Sequence, residues 1–171
     1  MIKANFNTSA IKAKLNAFRE KMIRDTIQVL DILGEMAVNE AKDNGAYLDQ
    51  TSNLRSSIGY VVVVNGQIVR EAFEASGSGK IEVSFSSLKT RKVHTTKISG
   101  GQTGVSTGQA VARALASKHN TGFALVVVAG MNYALYVEAN GLNVLTSAEQ
   151  LAKRKLPKLL EQIKRNANNF K

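Results

Sequence analysis

Asn65-Gly66 is the feature that most restricts what this chain can fold into. It stands between Ile58–Val64, rich in β-branched residues, and a second extended run at 67–74. Asn-Gly is the preferred dipeptide of a two-residue type I′ turn, and so short a loop sets the register of the strands it joins. A β-hairpin at 58–74 is therefore expected, and with it a sheet. An isolated hairpin is marginally stable in water, so other elements must cover it.

Candidates for those elements lie on both sides. Ile81, Val83 and Phe85 alternate with Glu82, Ser84 and Ser86, the period of a half-buried strand. The stretch 91–98 reads as a fourth, polar and basic strand or as an extended arm. GFALVVVAG at 122–130, apolar and bounded by glycines, is expected to be the central strand of the sheet. Upstream, Ile11, Leu15, Phe18, Met22, Val29, Leu33 and Met36 recur at helical spacing, with Ile23, Ile27, Leu30, Ala37 and Ala41 as a second stripe beside them. Capped among Asn7, Thr8 and Ser9 and ended by Gly45, this helix would run to about 36 residues, roughly 54 Å at the usual rise. Either it breaks near Arg24 or Gly34, or its amino-terminal part projects and packs on another subunit through Leu15, Phe18, Met22 and Ile23.

Two further helices are expected. Four glycines between 99 and 108 indicate a flexible loop, followed by a short helix at 109–119 with Val111, Ala114, Leu115 and Lys118 on one side. At the carboxy-terminal end, Thr146 and Glu149 have capping-box spacing, and Leu156, Leu160, Ile163, Ala167 and Phe170 continue a helical stripe. Pro157 must then lie in a first turn or kink that helix. The predicted class is α+β, a single domain over 1–171 with a long amino-terminal helix, a small, mostly antiparallel sheet and a carboxy-terminal helix. The stretch 77–120 forms a basic, glycine-rich insertion or arm within it.

The chain has 171 residues, 44% of them hydrophobic, enough for an ordinary core without staples. It has no cysteine, which removes disulfides, thiol nucleophiles and thiolate metal sites together. No stretch approaches a membrane span and residues 1–7 carry no apolar leader core, so a soluble product made in the cytosol, with no membrane contact, is expected. The net charge of +10 is concentrated. Between 77 and 119 seven basic residues face only Glu82, and between 153 and 171 seven more face only Glu161. The first segment includes the patch Lys89, Arg91, Lys92 and Lys97. Such segments attract phosphate without sequence preference, dock on acidic protein, or form a solvated face.

Motifs that would carry catalysis are not met. SGSGK at 76–80 has Glu74 where a phosphate-binding loop needs its first glycine, and Ile81 where it needs Ser or Thr. His94 and His119 are 25 positions apart, without the spacing of a metal pair. No GxSxG elbow occurs. Asp43 and Asp49 flank a turn, where acidic residues commonly serve as caps. No catalytic, cofactor or metal residue is expected, and the chain is read as a protein without enzymatic activity.

Two stretches carry a resemblance. Residues 49–58 (DQTSNLRSSI) are similar to the Asp-x-Thr-Gly-x-Leu-Arg-x-Ser-Ile signature of phage tail-completion proteins, also described as minor capsid or head–tail joining proteins. Residues 132–138 (NYALYVE) resemble the Tyr-Ala-x-Tyr-Val-Glu element of that family, which follows an apolar strand, as here. The matching positions include Asp49, Thr51, Leu54, Arg55, Ser57, Ile58, Tyr133, Ala134, Tyr136 and Glu138. Ser52 departs from the usual glycine, and Ala139-Asn140-Gly141 from the usual Phe-Gly-Thr. The resemblance implies an α+β structural subunit of a tailed phage or prophage virion. It would assemble with itself, a homo-oligomer for which a ring is one arrangement, and dock on tail or neck proteins near the portal. Arg55 is expected either to pair with Glu138 or to stand exposed without a fixed partner. The rival reading is a basic protein binding nucleic acid weakly and without sequence preference.

Overall fold

The computed structural model describes residues 8–76, 80–86, 93–99 and 102–168, with the backbone alone for 80–86, 93–99 and 102. The order is α1 (Thr8–Asp43), α2 (Asn53–Ser56), β1 (Ile58–Val64), β2 (Gln67–Phe73), β3 (Lys80–Ser86), β4 (Val93–Ser99), α3 (Gln102–Ala116), β5 (Phe123–Ala129), α4 (Ala134–Ala139) and α5 (Thr146–Asn168). The arrangement is α+β, with a long amino-terminal helix, a small antiparallel sheet and a carboxy-terminal helix. Among the described residues no helix is long and apolar enough to cross a membrane.

The hairpin forms at the expected place. Asn65 and Gly66 both have positive φ, 49° and 82°, as a type I′ turn requires. The Asn65 side-chain oxygen accepts the Gly122 N–H at 2.9 Å, and the Asn65 N–H donates to the Gly122 carbonyl at 2.9 Å, tying the turn to the start of β5. Between Val62↔Arg70 and Val63↔Ile68 the register slips, leaving Val69 as the extra residue of a bulge. Val69 and Arg70 consequently face the same side, Val69 in the α1-side core and Arg70 paired with Asp31 of α1.

The strand order is β2-β1-β5, so β1 is central and β5 is an edge, contrary to the expectation for 122–130. Hydrophobicity misleads here because β5 has apolar residues on both faces, as a central strand would. On one face Tyr60 and Val62 of β1 and Leu125 and Val127 of β5 meet Leu30, Ala37, Val38 and Ala41 of α1. On the other, Val61 and Val63 with Val126 and Val128 meet Ala112 and Ala116 of α3. Covered on both sides, β1 is buried from Ile58 through Val63. The strands β3 and β4 pair antiparallel as a separate two-stranded sheet.

The glycine-rich stretch is a second correction. From Gln102 onward it is helix, not loop, and the short helix expected from 109 begins seven residues earlier. The reason is the absence of side chains. A Cβ on Gly104 would lie 2.2 Å from the Asn53 carbonyl oxygen, one on Gly108 would lie 2.5 Å from that of Ser57, and one on Gly130 would lie 2.4 Å from Gly108 Cα. Gly104 and Gly108, one turn apart, let α3 settle directly on the backbone of α2 and the start of β1.

Helix α1 runs unbroken for 36 residues. Gly34 does not break it but makes room for Tyr60, whose ring carbon would stand 2.4 Å from a Cβ there. The Tyr60 hydroxyl donates to Asp31 at 2.8 Å, and burial together with this neighbouring carboxylate pushes the phenol pKa up. Buried positions on α1 run only from Val29 to Ala41. Helix α5 packs along α1 and continues through Pro157, which lies in its interior and not in a first turn.

Candidate functional site

The resembling stretches meet at one end of the sheet. β1 and β5 pair from Ile58↔Ala129 to Val64↔Phe123, so residues before β1 and after β5 must lie side by side. The Gly130 N–H donates to the Ser57 carbonyl at 3.1 Å and closes the junction. Leu54, Ser57, Ile58 and Ala134 are buried there, and the Ser57 hydroxyl donates to the Leu54 carbonyl at 2.7 Å. Asp49 accepts the Arg55 N–H at 2.8 Å, folding the loop back on α2. Ser52, between them, takes a left-handed conformation at φ 56°, which a glycine adopts without strain.

Arg55 does not pair with Glu138. Its guanidinium lies over the Tyr47 ring, 5.8 Å from the centroid. Tyr47 is buried, and its hydroxyl and the Arg55 Nε lie buried together with no well-formed hydrogen bond among the described residues. Burial pushes the Tyr47 phenol up, and the nearby Arg55 pulls it back. Tyr133 is half-exposed beside Asp49 and Thr51, its phenol pushed up first by burial and then by the Asp49 charge. Tyr136 is 73% exposed and packs little.

Glu138 has a different task. Its carboxylate accepts the N–H groups of Val144 at 3.0 Å, Leu145 at 2.7 Å and Thr146 at 3.2 Å, and also the Thr146 hydroxyl. Burial alone would raise its pKa, but the Thr146 hydroxyl and the three backbone donors hold it below the usual carboxylate range. Glu138 thus satisfies the free N–H groups that open α5, a negative charge at the positive end of the helix. The capping box expected between Thr146 and Glu149 does not form. The Glu149 N–H goes to the Leu145 carbonyl, and the Glu149 carboxylate pairs with Lys153 at 2.6 Å.

Of the expected assembly face, Leu15 is 64% exposed, while Phe18, Met22 and Ile23 are half-buried. Ile11, one turn before Leu15, is 53% exposed, and every residue from Thr8 to Ala17 is exposed. The first ten residues of α1, roughly 15 Å of helix, are thus exposed along their whole length. Lys89, Arg91 and Lys92 lie outside the described residues, and Lys97 falls in β4, where only the backbone is described.

One feature was not legible in the residue pattern. A largely apolar groove of about 600 Å³ runs beside β5 between the sheet, α4 and α5, lined by Leu125, Val127, Leu135, Val144, Leu145 and Ala148. Among the described residues Glu138 and Glu149 are its only charged lining residues. Leu135 on its rim is 80% exposed. Three consecutive elements build it with Ala37 of α1, and their spacing in the chain does not announce how they enclose a space; Tyr47 likewise carries no signal beyond its place after the α1 terminus. Among the described residues no group of three His, Asp or Glu could hold a metal ion. Comparisons with protein-family models, curated proteins and solved structures find no match for this chain.

Proposed function

We propose that this chain is a structural subunit of a tailed phage or prophage virion, of the tail-completion or head–tail joining type. It works in the neck by assembling with copies of itself and with neighbouring tail or portal-side proteins. The observation that carries this reading is the exposed start of α1. A helix that exposes Ile11 and Leu15 over ten residues, while burying its next stripe, holds apolar surface in reserve for a partner. The sequence resemblance adds to it, because Asp49, Arg55, Ser57 and Tyr133 come from two distant stretches and the β1–β5 pairing draws them into one junction.

The junction is suited to holding a shape. Leu54, Ser57 and Ile58 are buried, Asp49 binds backbone, and Glu138 caps a helix, so the resembling residues act on the chain's own framework. Deletion of the gene from its phage or prophage tests the proposal by electron microscopy of the lysate. The expected result is DNA-filled heads and tails that fail to join, or tails of abnormal end structure. An unchanged yield of complete particles would overturn it.

A further inference from the structure

We infer that the outward face of α5 is a docking surface for the phosphate backbone of double-stranded DNA, engaged without regard to base sequence. The contact goes beyond the assembly role and does not depend on it. Leu151 and Ile163 are buried where α5 packs along α1, whereas Arg154, Lys158, Lys164 and Arg165 are exposed. Arg154, Lys158 and Arg165 stand at i, i+4 and i+11, spacings that return to one face of a helix, and the line they form is roughly 16 Å long. Gln162 and Asn168, also exposed, add amide donors of the kind that bind phosphate oxygens. The cations are free to take a partner. Among the described residues none of the four is in an ion pair, whereas Lys153 is already held by Glu149 at 2.6 Å. Glu161 is the one acidic residue among them, so the face stays strongly positive.

Other partners of a basic helix fit α5 less well. A membrane surface takes such a helix by burying its apolar side among lipid, but that side of α5 lies against α1. Single-stranded nucleic acid stacks its bases on aromatic rings, and α5 from Thr146 to Asn168 contains none. The core of a protein interface is depleted of lysine and built on aromatic and apolar anchors, whereas among the described residues Leu160 is the single large apolar side chain exposed on α5. Duplex RNA is gripped across successive minor grooves over about 16 base pairs, farther than this face reaches. The DNA backbone requires only positive charge. It carries one negative charge per roughly 1.7 Å of axis, so a cation line of this length lies against several phosphates whatever the bases, and each cation that displaces a condensed counterion adds to affinity.

The test is fluorescence anisotropy of the full chain with a labelled DNA duplex over a salt series, each variant first matched to wild type by circular dichroism. Arg154→Gln/Lys158→Gln/Arg165→Gln should flatten the slope of log affinity against log salt by about 1 per cation removed, about 3 in all. Arg154→Lys/Arg165→Lys keeps the charges and should keep the slope. Lys89→Gln/Arg91→Gln/Lys92→Gln removes an equal charge from the other basic segment and should leave the slope near that of wild type. A wild-type chain that binds no duplex at about 50 mM salt would overturn the inference. A slope kept by the α5 variant and lost by the 89–92 variant would move the contact to that segment. Equal flattening by both variants would show that net charge, not this face, sets the affinity, and would overturn it too. Tighter binding of double-stranded RNA, or of vesicles rich in anionic lipid, than of the DNA duplex would overturn DNA as the occupant.

Discussion

Replacing Gly104 or Gly108 with alanine separates two accounts of the stretch between β4 and β5. If helix propensity alone mattered, each change would stabilise the protein by about 1 kcal/mol, the difference between Gly and Ala in a helix interior. Close packing predicts the opposite sign. The Gly104 Cβ would stand 2.2 Å from the Asn53 carbonyl oxygen, more than 1 Å inside the 3.4 Å at which ordinary contact begins, and its neighbour is backbone that cannot rotate away. Helix α3 would have to retreat, and a gap of 0.5–1 Å forfeits roughly a quarter to a half of the dispersion well for each contact it opens. Those contacts join Ala112 and Ala116 to Val61, Val63 and Val128. Overpacking of this kind costs about 1–3 kcal/mol. Gly108→Ala, 2.5 Å from the Ser57 carbonyl oxygen and 2.8 Å from the Phe73 ring, belongs to the same class. Contacts this short belong at the upper end of that range, so after the propensity gain each single variant should lose about 2 kcal/mol, and the double variant less than the sum, because one retreat of α3 relieves both clashes. Urea denaturation followed by far-ultraviolet circular dichroism measures this, with Ser106→Ala on the exposed side of α3 as a control near neutrality. Glycine variants as stable as wild type, or more so, would refute the docking of α3 by its glycine face.

Other outcomes follow from the same structure. Glu138→Gln removes the charge that opens α5 and should cost on the order of 1 kcal/mol at neutral pH. Because the folded-state pKa of Glu138 is depressed, its stabilisation is present above the unfolded carboxylate value and is lost as pH falls through the folded value. Wild type and variant should therefore converge in acid in a pH series of denaturation midpoints, and parallel curves would count against the cap. Ser52→Gly relieves a left-handed residue at φ 56°, and thermal melts should rise slightly, by well under 2 kcal/mol after the entropic cost of glycine. A fall would mean that the Ser52 side chain carries a contact of its own. DNA binding should be weak, drop steeply between 50 and 200 mM salt and vary little among duplexes, as counterion release by clustered lysines and arginines dictates. A titration with a strong preference for one duplex would favour the nucleic-acid reading.

The parts legible in the sequence were those whose cause is local. Asn65-Gly66 encodes its turn because positive φ at two adjacent residues is a property of the dipeptide, and the α1 stripes encode a helix because period is local too. The misread parts depend on what lies opposite. A glycine signals either freedom or the absence of a Cβ, and only Asn53 and Ser57, far away in the chain, decide between them for Gly104 and Gly108. The run 122–130 is apolar because α1 covers one of its faces and α3 the other, which does not reveal whether a third strand lies beyond it. Arg55 and Glu138 have opposite charges on neighbouring elements, yet the free N–H groups of α5 and the ring of Tyr47 take them separately. Leu15 sits on a stripe legible in the sequence but its exposure is not, and the groove likewise emerges only when β5, α4 and α5 converge on α1.

Quantitative mass spectrometry of tailed-phage particles purified from a lysate of the cells that carry the gene tests the proposed virion role most directly. The account predicts that the chain copurifies with intact particles through density-gradient separation, at a small and constant number of copies relative to the portal protein. Finding it only in the soluble lysate fraction, with none in the particles, would contradict the claim.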